Sequence, residues 1–324
     1  MADVRQAADT ETRSRRPTVL LDCDPGHDDA IAIVAAAYYA DLVGITTVAG
    51  NAPLERTTYN ALVMRDLLGI DVAVHSGSGR PLVAEPKFAA FVHGESGLDG
   101  ADLPAPTTAL DGIHGVEFII ETCRANEGIW IVATGPLTNI GLVLRVAPDI
   151  AKRIAGISLM GGGTFGNRST MAEFNIWADP EAASIVFDYG GRLVMAGLDV
   201  THQFQATPER IAQITAMPGQ LASIMSDLFG FFAATYLERH EPGSIDGPAV
   251  HDPLAVLALT HPDLFQRQHQ HVSIELSGER TRGMTVIDRR LLVERQAPNC
   301  DVLTSLDADP AFELVAQSIA HFST

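Results

Sequence analysis

Residues 18–33 read TVLLDCDPGHDDAIAI, an apolar strand-like run that meets an apolar helix-like run across a joint holding Asp22, Asp24, Asp28 and Asp29. Carboxylates crowded between two buried segments repel one another and raise each other's pKa. A fold that keeps them there has to supply a cation, protons or many donated hydrogen bonds. A hard metal ion meets that demand with a single group.

Beyond this joint, apolar runs of strand character alternate with longer helix-periodic segments, the pattern of a mostly parallel sheet covered by helices on both faces. Strands are expected at Val19–Cys23, Leu42–Ala49, Ile129–Thr134, Ile157–Met160 and Leu193–Ala196. Helices are expected to begin near Asp28, Pro53, Ile113, Pro136 and Pro180, several of them opened by the Pro or Asp that suits a first turn. No internal repeat is visible. With 324 residues, 46% of them hydrophobic and 19% charged, the chain can bury a large core. One large α/β domain over residues 17–324 is expected, with a helical region near residues 208–265 bordering the pocket. Residues 1–16 mix both charge signs and lack the apolar stretch of a secretory signal, so they read as a disordered leader.

The balance of 40 acidic against 22 basic residues gives −18, which opposes binding to nucleic acid phosphates or anionic lipid. The longest apolar stretch, around Ala30 to Ala40, falls short of the roughly 20 residues a membrane-spanning helix needs. Cys23, Cys123 and Cys300 are an odd, widely spaced set with no zinc-type pairing, so neither a disulfide framework nor structural zinc is expected. A reducing cytoplasm is the expected location.

In open α/β sheets, ligands bind beyond the carboxyl ends of the strands, where strand order reverses. The polar residues at those exits are the four aspartates after the first strand, Gly50-Asn51 after the second, Thr134-Gly135 after the third, and Met160 with GGGTFGNRSTMAEFN after the fourth. A late segment, VHDPLAV at 250–256, adds His251 and Asp252 at the start of another apolar helical run. Each has a plainer use. Asp28 and Asp29 could cap a helix and complement its dipole, worth ~0.3–1 kcal/mol per charge, but one acid suffices and the doublet plus Asp24 is surplus. Asp24, Asp28 and Asp29 are therefore assigned to metal binding and Asp22 to buried support. Asn51 after glycine is a common turn element. Gly161–Gly163 lacks dinucleotide-fingerprint spacing and a phosphate-gripping lysine. A lone histidine such as His251 is ordinarily structural, and Cys23 reads as a small buried hydrophobe.

Side by side, these segments resemble the inosine-uridine-preferring nucleoside hydrolase family. The likeness rests on DCDPGHDDAIAI at 22–33, VAGN at 48–51, ATGPLTNI at 133–140, MGGG at 160–163, AEFNIWADPEAA at 172–183 and HDPLAV at 251–256. The blocks stand in the family's order and cover most of the chain; the leader and the last sixty or so residues are less distinctive. The resemblance implies a Rossmann-like nucleoside hydrolase fold, an open and mostly parallel sheet flanked by helices. It also implies calcium-dependent hydrolysis of the N-glycosidic bond of ribonucleosides to free base and ribose. By the same resemblance Asp24, Asp28, Asp29 and Asp252, with the backbone carbonyl of Thr134, are the expected ligands of Ca2+, and the ribose 2′- and 3′-hydroxyls and a water complete its shell. Oxygen-only coordination of this kind suits calcium better than magnesium.

The family likeness also makes Asp24 the general base that takes a proton from the attacking water, and lets His251 assist the departing base as an acid. Asn51, Asn167, Glu173 and Asn175 resemble ribose-binding residues, and Met160 a sugar-packing neighbour. The chemistry explains the residue types, because bond breaking builds positive charge on the ribose ring and fixed anions stabilise that charge more than the neutral ground state. His93, in FVHGESGLDG, is either on a loop closing over the site or a solvated loop histidine. Phe174 packs near the base or in the core. Tyr236, Arg239 and His240 are candidate base contacts or surface residues of an amphipathic helix, and purine is not distinguished from pyrimidine. The family usually forms homodimers or homotetramers, with nucleoside salvage or catabolism as possible uses. Two other readings stand beside this one. A haloacid-dehalogenase-like phosphatase shares the alternating aspartates of LDCDPG but not Pro25 or the Asp28-Asp29 pair. A non-catalytic nucleoside or sugar sensor would keep the ion, yet no acidic or amide position of the matched blocks is missing.

Overall fold

Strand β1 (Thr18–Cys23) sends Val19, Leu21 and Cys23 into one apolar cluster and Leu20 into another, the two-residue alternation of a strand covered on both faces. The computed structural model describes residues 16–239 and 246–323. The expected leader, apart from Arg16, lies outside the described residues, as do His240 and the side chain of Arg239.

After β1 come β2 (Asp41–Thr47), β3 (Val74–Ser76), β4 (Trp130–Ala133), β5 (Gly156–Met160), β6 (Leu193–Ala196), β7 (Phe265–Gln270), β8 (Val272–Ile274), β9 (Thr285–Ile287) and β10 (Cys300–Leu306). Eight of these strands form one sheet in the order β3-β2-β1-β4-β5-β6-β10-β7, parallel except for β7, which runs antiparallel to β10. The chain steps outward from β1 to β3, then returns to lay β4 on the other side of β1. Strand order therefore reverses at β1 and β4, and a crevice opens at their carboxyl ends.

The helices are α1 (His27–Tyr39), α2 (Leu54–Leu68), α3 (Ala90–His93), α4 (Gly115–Ala125), α5 (Thr138–Val146), α6 (Phe174–Ala178), α7 (Pro180–Phe187), α8 (Leu198–Thr201), α9 (Pro208–Thr215), α10 (Gln220–Arg239), α11 (Pro253–Thr260) and α12 (Ala308–Phe322). α1 is buried from His27 to Ala36, because DDAIAIVAAA offers no broad polar face and the helix is enclosed by α11, α12 and the sheet. On the opposite face, α4, α5 and α7 supply Ile119, Ile140 and Val186 to the second cluster.

The five expected strands are present, with ends moved by up to two residues. The helix expected near Ile113 begins at Gly115, where the His114 side chain caps it by accepting from the Val116 amide (3.2 Å). The expected helical region holds α9, α10 and α11 and ends where β7 begins at Phe265. Sequence patterning did not anticipate β3 or the strands from β7 onward. β3 is three residues long, and β7, FQRQHQ, is a half-solvated edge strand with no apolar run to announce it. Among the described residues no helix is long and apolar enough to cross a membrane.

All three cysteines are free and fully buried, and burial pushes the Cys123 thiol up to about 12. An inaccessible, protonated thiol is a poor nucleophile. A thiol-reactive dye at neutral pH should label the native protein negligibly and label all three cysteines after denaturation; rapid native labelling would contradict this packing.

Candidate active site

The turn after β1 delivers the acidic cluster. Asp29, at the third position of α1, accepts from the Gly26 amide (3.0 Å) and the Asp24 amide (3.3 Å), so it does cap the helix. Its oxygens also take the Thr134 hydroxyl (2.7 Å) and the Asn51 side-chain amide (3.0 Å), which ties the exits of β1, β2 and β4 to one carboxylate. Asp28 accepts from the His251 backbone amide (3.2 Å), which docks the start of α11 onto the start of α1. Asp28, Asp29 and Asp252 each place a carboxylate oxygen within 4.8 Å of the other two, all three buried. Asp24 lies beside them, fully buried. One of its oxygens accepts from the Asn51 amide (2.7 Å), and Oδ1 has no partner among the described residues.

Close approach of Asp24 accounts for two motif glycines. A Cβ on Gly50 would stand 2.1 Å from Asp24 Oδ2, and one on Gly135 would stand 2.5 Å from Asp24 Oδ1. Any side chain at either strand exit displaces the carboxylate. Asp22 is set apart: Thr46 Oγ1 (2.5 Å) and Asn139 Nδ2 (2.7 Å) both donate to its Oδ1, which locks β1 to β2 and α5. That is the buried support expected of it.

Burial raises every one of these carboxyls, Asp22 and Asp28 to about 7, Asp24 and Asp252 well above the ordinary range, and neighbouring aspartates push Asp24, Asp28 and Asp252 further. Asp29 is also raised by burial, against the hydrogen bonds it accepts. A set of buried, oxygen-only donors with an orphaned Asp24 Oδ1 fits a hard divalent cation. The pH consequence follows from the direction of the shifts. Between about 4 and 7 the native state without a cation binds more protons than the unfolded chain, so it loses stability as pH rises through that window. A cation bound to the ionised carboxylates offsets this loss. At a hundredfold excess over its Kd, such a cation should add about 2.7 kcal/mol. With calcium chloride as the probe, the Tm gap between protein with the salt and chelated protein should be wide at pH 8 and shrink toward pH 5. A gap independent of pH in a thermal melt series would argue against a carboxylate cation site.

Beside this cluster lies a pocket lined by Asp28, Asp252, Asn51, Thr134, Met160 and Asn175, with Asp24 and Asp29 hydrogen-bonded to the lining residues Asn51 and Thr134. The Asn175 amide donates to the carbonyls of Thr134 (2.7 Å) and Met160 (3.2 Å), which fixes it across the exits of β4 and β5. Glu173, at the wall, caps α6 by accepting from the amides of Asn175 (2.9 Å) and Ile176 (3.1 Å), and it also receives the Gly162 amide (3.0 Å). Asn167 is exposed at the rim and accepts from the Phe174 amide (3.0 Å). Phe174 lines the pocket, half-buried, instead of joining the core.

His93 is 6% exposed and lines the same pocket, so it is not a solvated loop histidine. Its ring packs on Gly26, where a Cβ would stand 2.7 Å from Nδ1. On the other wall, His251 meets Thr201 Oγ1 (2.8 Å) through Nδ1 and the Tyr236 hydroxyl (3.4 Å) through Nε2. Burial lowers the His251 ring to about 3, so it is neutral at neutral pH. The expected site residues that the structure describes thus converge on one place.

Sequence reasoning missed several neighbours. His27 is buried, reaches the Asp99 carbonyl through Nε2 (2.9 Å) and lies 5.3 Å from the ring centroids of His93 and Phe232. His202 lines the pocket just beyond the exit of β6, in GLDVTHQF; the strand-exit rule would have found it had it been applied to that strand. Phe91, Phe165, Arg168 and Phe232 also line the pocket and carry no motif of their own.

An open, mostly parallel sheet with buried carboxylates that fit a divalent cation at its switch point, under a pocket of amides and histidines, is the framework of a nucleoside hydrolase. The chain belongs to the inosine-uridine preferring nucleoside hydrolase family, whose model matches residues 19–313, and is a ribonucleoside hydrolase acting on N-glycosyl compounds. It is 43% identical over 310 residues to the pyrimidine-specific ribonucleoside hydrolase RihA of Shewanella woodyi, covering 94% of this chain and 98% of that one. It is 42% identical over 312 residues to the protein of the same description from Escherichia coli strain SMS-3-5, covering 94% and 99%. Among solved structures it superposes on a purine-preferring ribonucleoside hydrolase from Gardnerella vaginalis with a TM-score of 0.88, at 31% identity over 94% of this chain and 99% of that one. A plant nucleoside hydrolase gives 0.87 at 28% identity, again over 94% and 99%. The phosphatase alternative has no support beside this family membership.

Proposed function

We propose that this chain hydrolyses the N-glycosidic bond of ribonucleosides, pyrimidine ribonucleosides foremost, with a calcium ion held by Asp24, Asp28, Asp29, Asp252 and the Thr134 carbonyl. The observation that carries the reading is the convergence of the Asp28, Asp29 and Asp252 oxygens directly under a pocket walled by Asn51, Glu173 and Asn175. A bound calcium would supply Lewis acidity toward the attacking water and an anchor for two vicinal hydroxyls.

The chain's own groups do the rest. Asn51, Asn167, Glu173 and Asn175 orient the ribose, and Met160 packs against it. Asp24 takes the proton of the attacking water at Oδ1, a basic site because burial and Asp29 raise its affinity for protons. The surrounding carboxylates stabilise the positive charge that develops on the ring as the bond to the base lengthens. His251, neutral and held through Nδ1 by Thr201, stabilises the departing base with a hydrogen bond from Nε2, the nitrogen that faces Tyr236, while Phe174 and His93 enclose the base. The preference for pyrimidines is supported by the names of relatives that are 42–43% identical over nearly their full length. Residues 17–324 are read as the catalytic domain, assembled as a homodimer or homotetramer in the cytoplasm, a location that three unpaired cysteines suit.

Incubation with uridine, cytidine, inosine and adenosine, with and without chelator, tests the reading. Uridine and cytidine should release base fastest and chelation should stop release; no release from any of the four would overturn it. Asp24→Asn should lower kcat about a hundred- to ten-thousandfold with an unchanged circular dichroism spectrum. Near-normal turnover of that variant would remove Asp24 as the base.

A further inference from the structure

Two segments form opposite lips of the pocket mouth. One, residues 82–93, ends in α3 and carries His93; the other, residues 164–177, carries Asn167 and Phe174. The first lip has no regular structure before α3. The Leu82 amide is anchored to Asp179 (2.9 Å) and the Ala89 amide to the Asn51 carbonyl (3.0 Å).

Cations on aromatic rings join the two segments, one between those anchors and one just past the second. Arg168, from the second lip, sets its guanidinium 5.2 Å from the Phe91 centroid on the first and 4.7 Å from Trp177 on its own. Lys87, from the first lip, sets Nζ 4.9 Å from the Trp177 centroid on the second. The two contacts join the same two segments in opposite directions, Arg168 on Phe91 at the pocket lining and Lys87 on Trp177 in a neighbouring cavity outside it. Both cationic side chains are exposed, and neither forms an ion pair with a described residue, in a chain that carries 40 acidic groups.

We propose that Arg168 and Lys87 latch the lips together, and that Arg168 is a positioning residue that holds His93 and Asn167 at the separation a bound substrate requires. The latch is a property of the mouth; only the identity of the ligand that enters rests on the nucleoside hydrolase reading. A cation–π contact at an exposed site shifts an open–closed equilibrium by about two- to fivefold. Amide exchange in α3 reads that equilibrium without any turnover.

The experiment measures hydrogen exchange at residues 90–93 in the full chain with calcium chloride present, and KM and kcat for the preferred nucleoside, in wild type, Arg168→Ala and Arg168→Lys. Arg168→Ala should speed exchange and raise KM by about two- to fivefold each while kcat changes less, and Arg168→Lys, which keeps a cation, should restore most of both. Adding Arg168→Ala to Phe91→Ala should have little further effect on exchange, because the contact is already gone. Unchanged exchange in Arg168→Ala, or full additivity with Phe91→Ala, overturns the latch. Should the wild type hydrolyse no nucleoside, the functional reading fails and the exchange comparison still decides this one.

Discussion

Mutual repulsion among buried carboxylates is the constraint around which this molecule is arranged. Asp24, Asp28, Asp29 and Asp252 arrive from β1, α1 and α11, and the fold answers them with donated hydrogen bonds from Asn51, Thr134, Gly26 and the His251 amide. The amino terminus of α1 adds the positive end of its dipole. These donors leave Asp24 Oδ1 without a partner among the described residues, and it is the atom on which the proposed chemistry turns.

The same demand explains residues far apart in sequence. Gly50 and Gly135 are bare because Asp24 fills the space a side chain would take, and Gly26 because His93 does. Asn139 and Thr46 spend their side chains on Asp22, whose role is to bind neighbouring strands and α5 together below the cluster. Asn175 and Glu173 reach the pocket wall because their own backbone and side-chain bonds span the exits of β4 and β5. Motifs that read as separate signatures in the chain are thus parts of one packing problem.

Much of this was legible from sequence because the decisive features are local. A buried strand, an acidic turn and an apolar helix leave a strong pattern, the strand-exit rule then collects Asn51, Thr134 and Met160, and the start of a late apolar helical run adds Asp252. Edge elements left no such trace: β7 is mostly polar, β3 is three residues long, and both owe their conformation to neighbours distant in the chain. The burial of His93 was also out of reach, since it depends on stacking with His27 and Phe232, which come from α1 and α10. Arg168 and Phe91 escaped notice for a similar reason, as a cation and a ring 77 positions apart announce nothing until the fold brings them together.

The pocket is built from two kinds of material. Its floor belongs to the central sheet and α1, where a change of one atom is felt through several carboxylates, whereas its roof comes from α10 and irregular segments. A lineage can therefore remodel what it admits without disturbing how it cuts. That a purine-preferring structure and pyrimidine-specific relatives by sequence both resemble this chain fits such a division of labour.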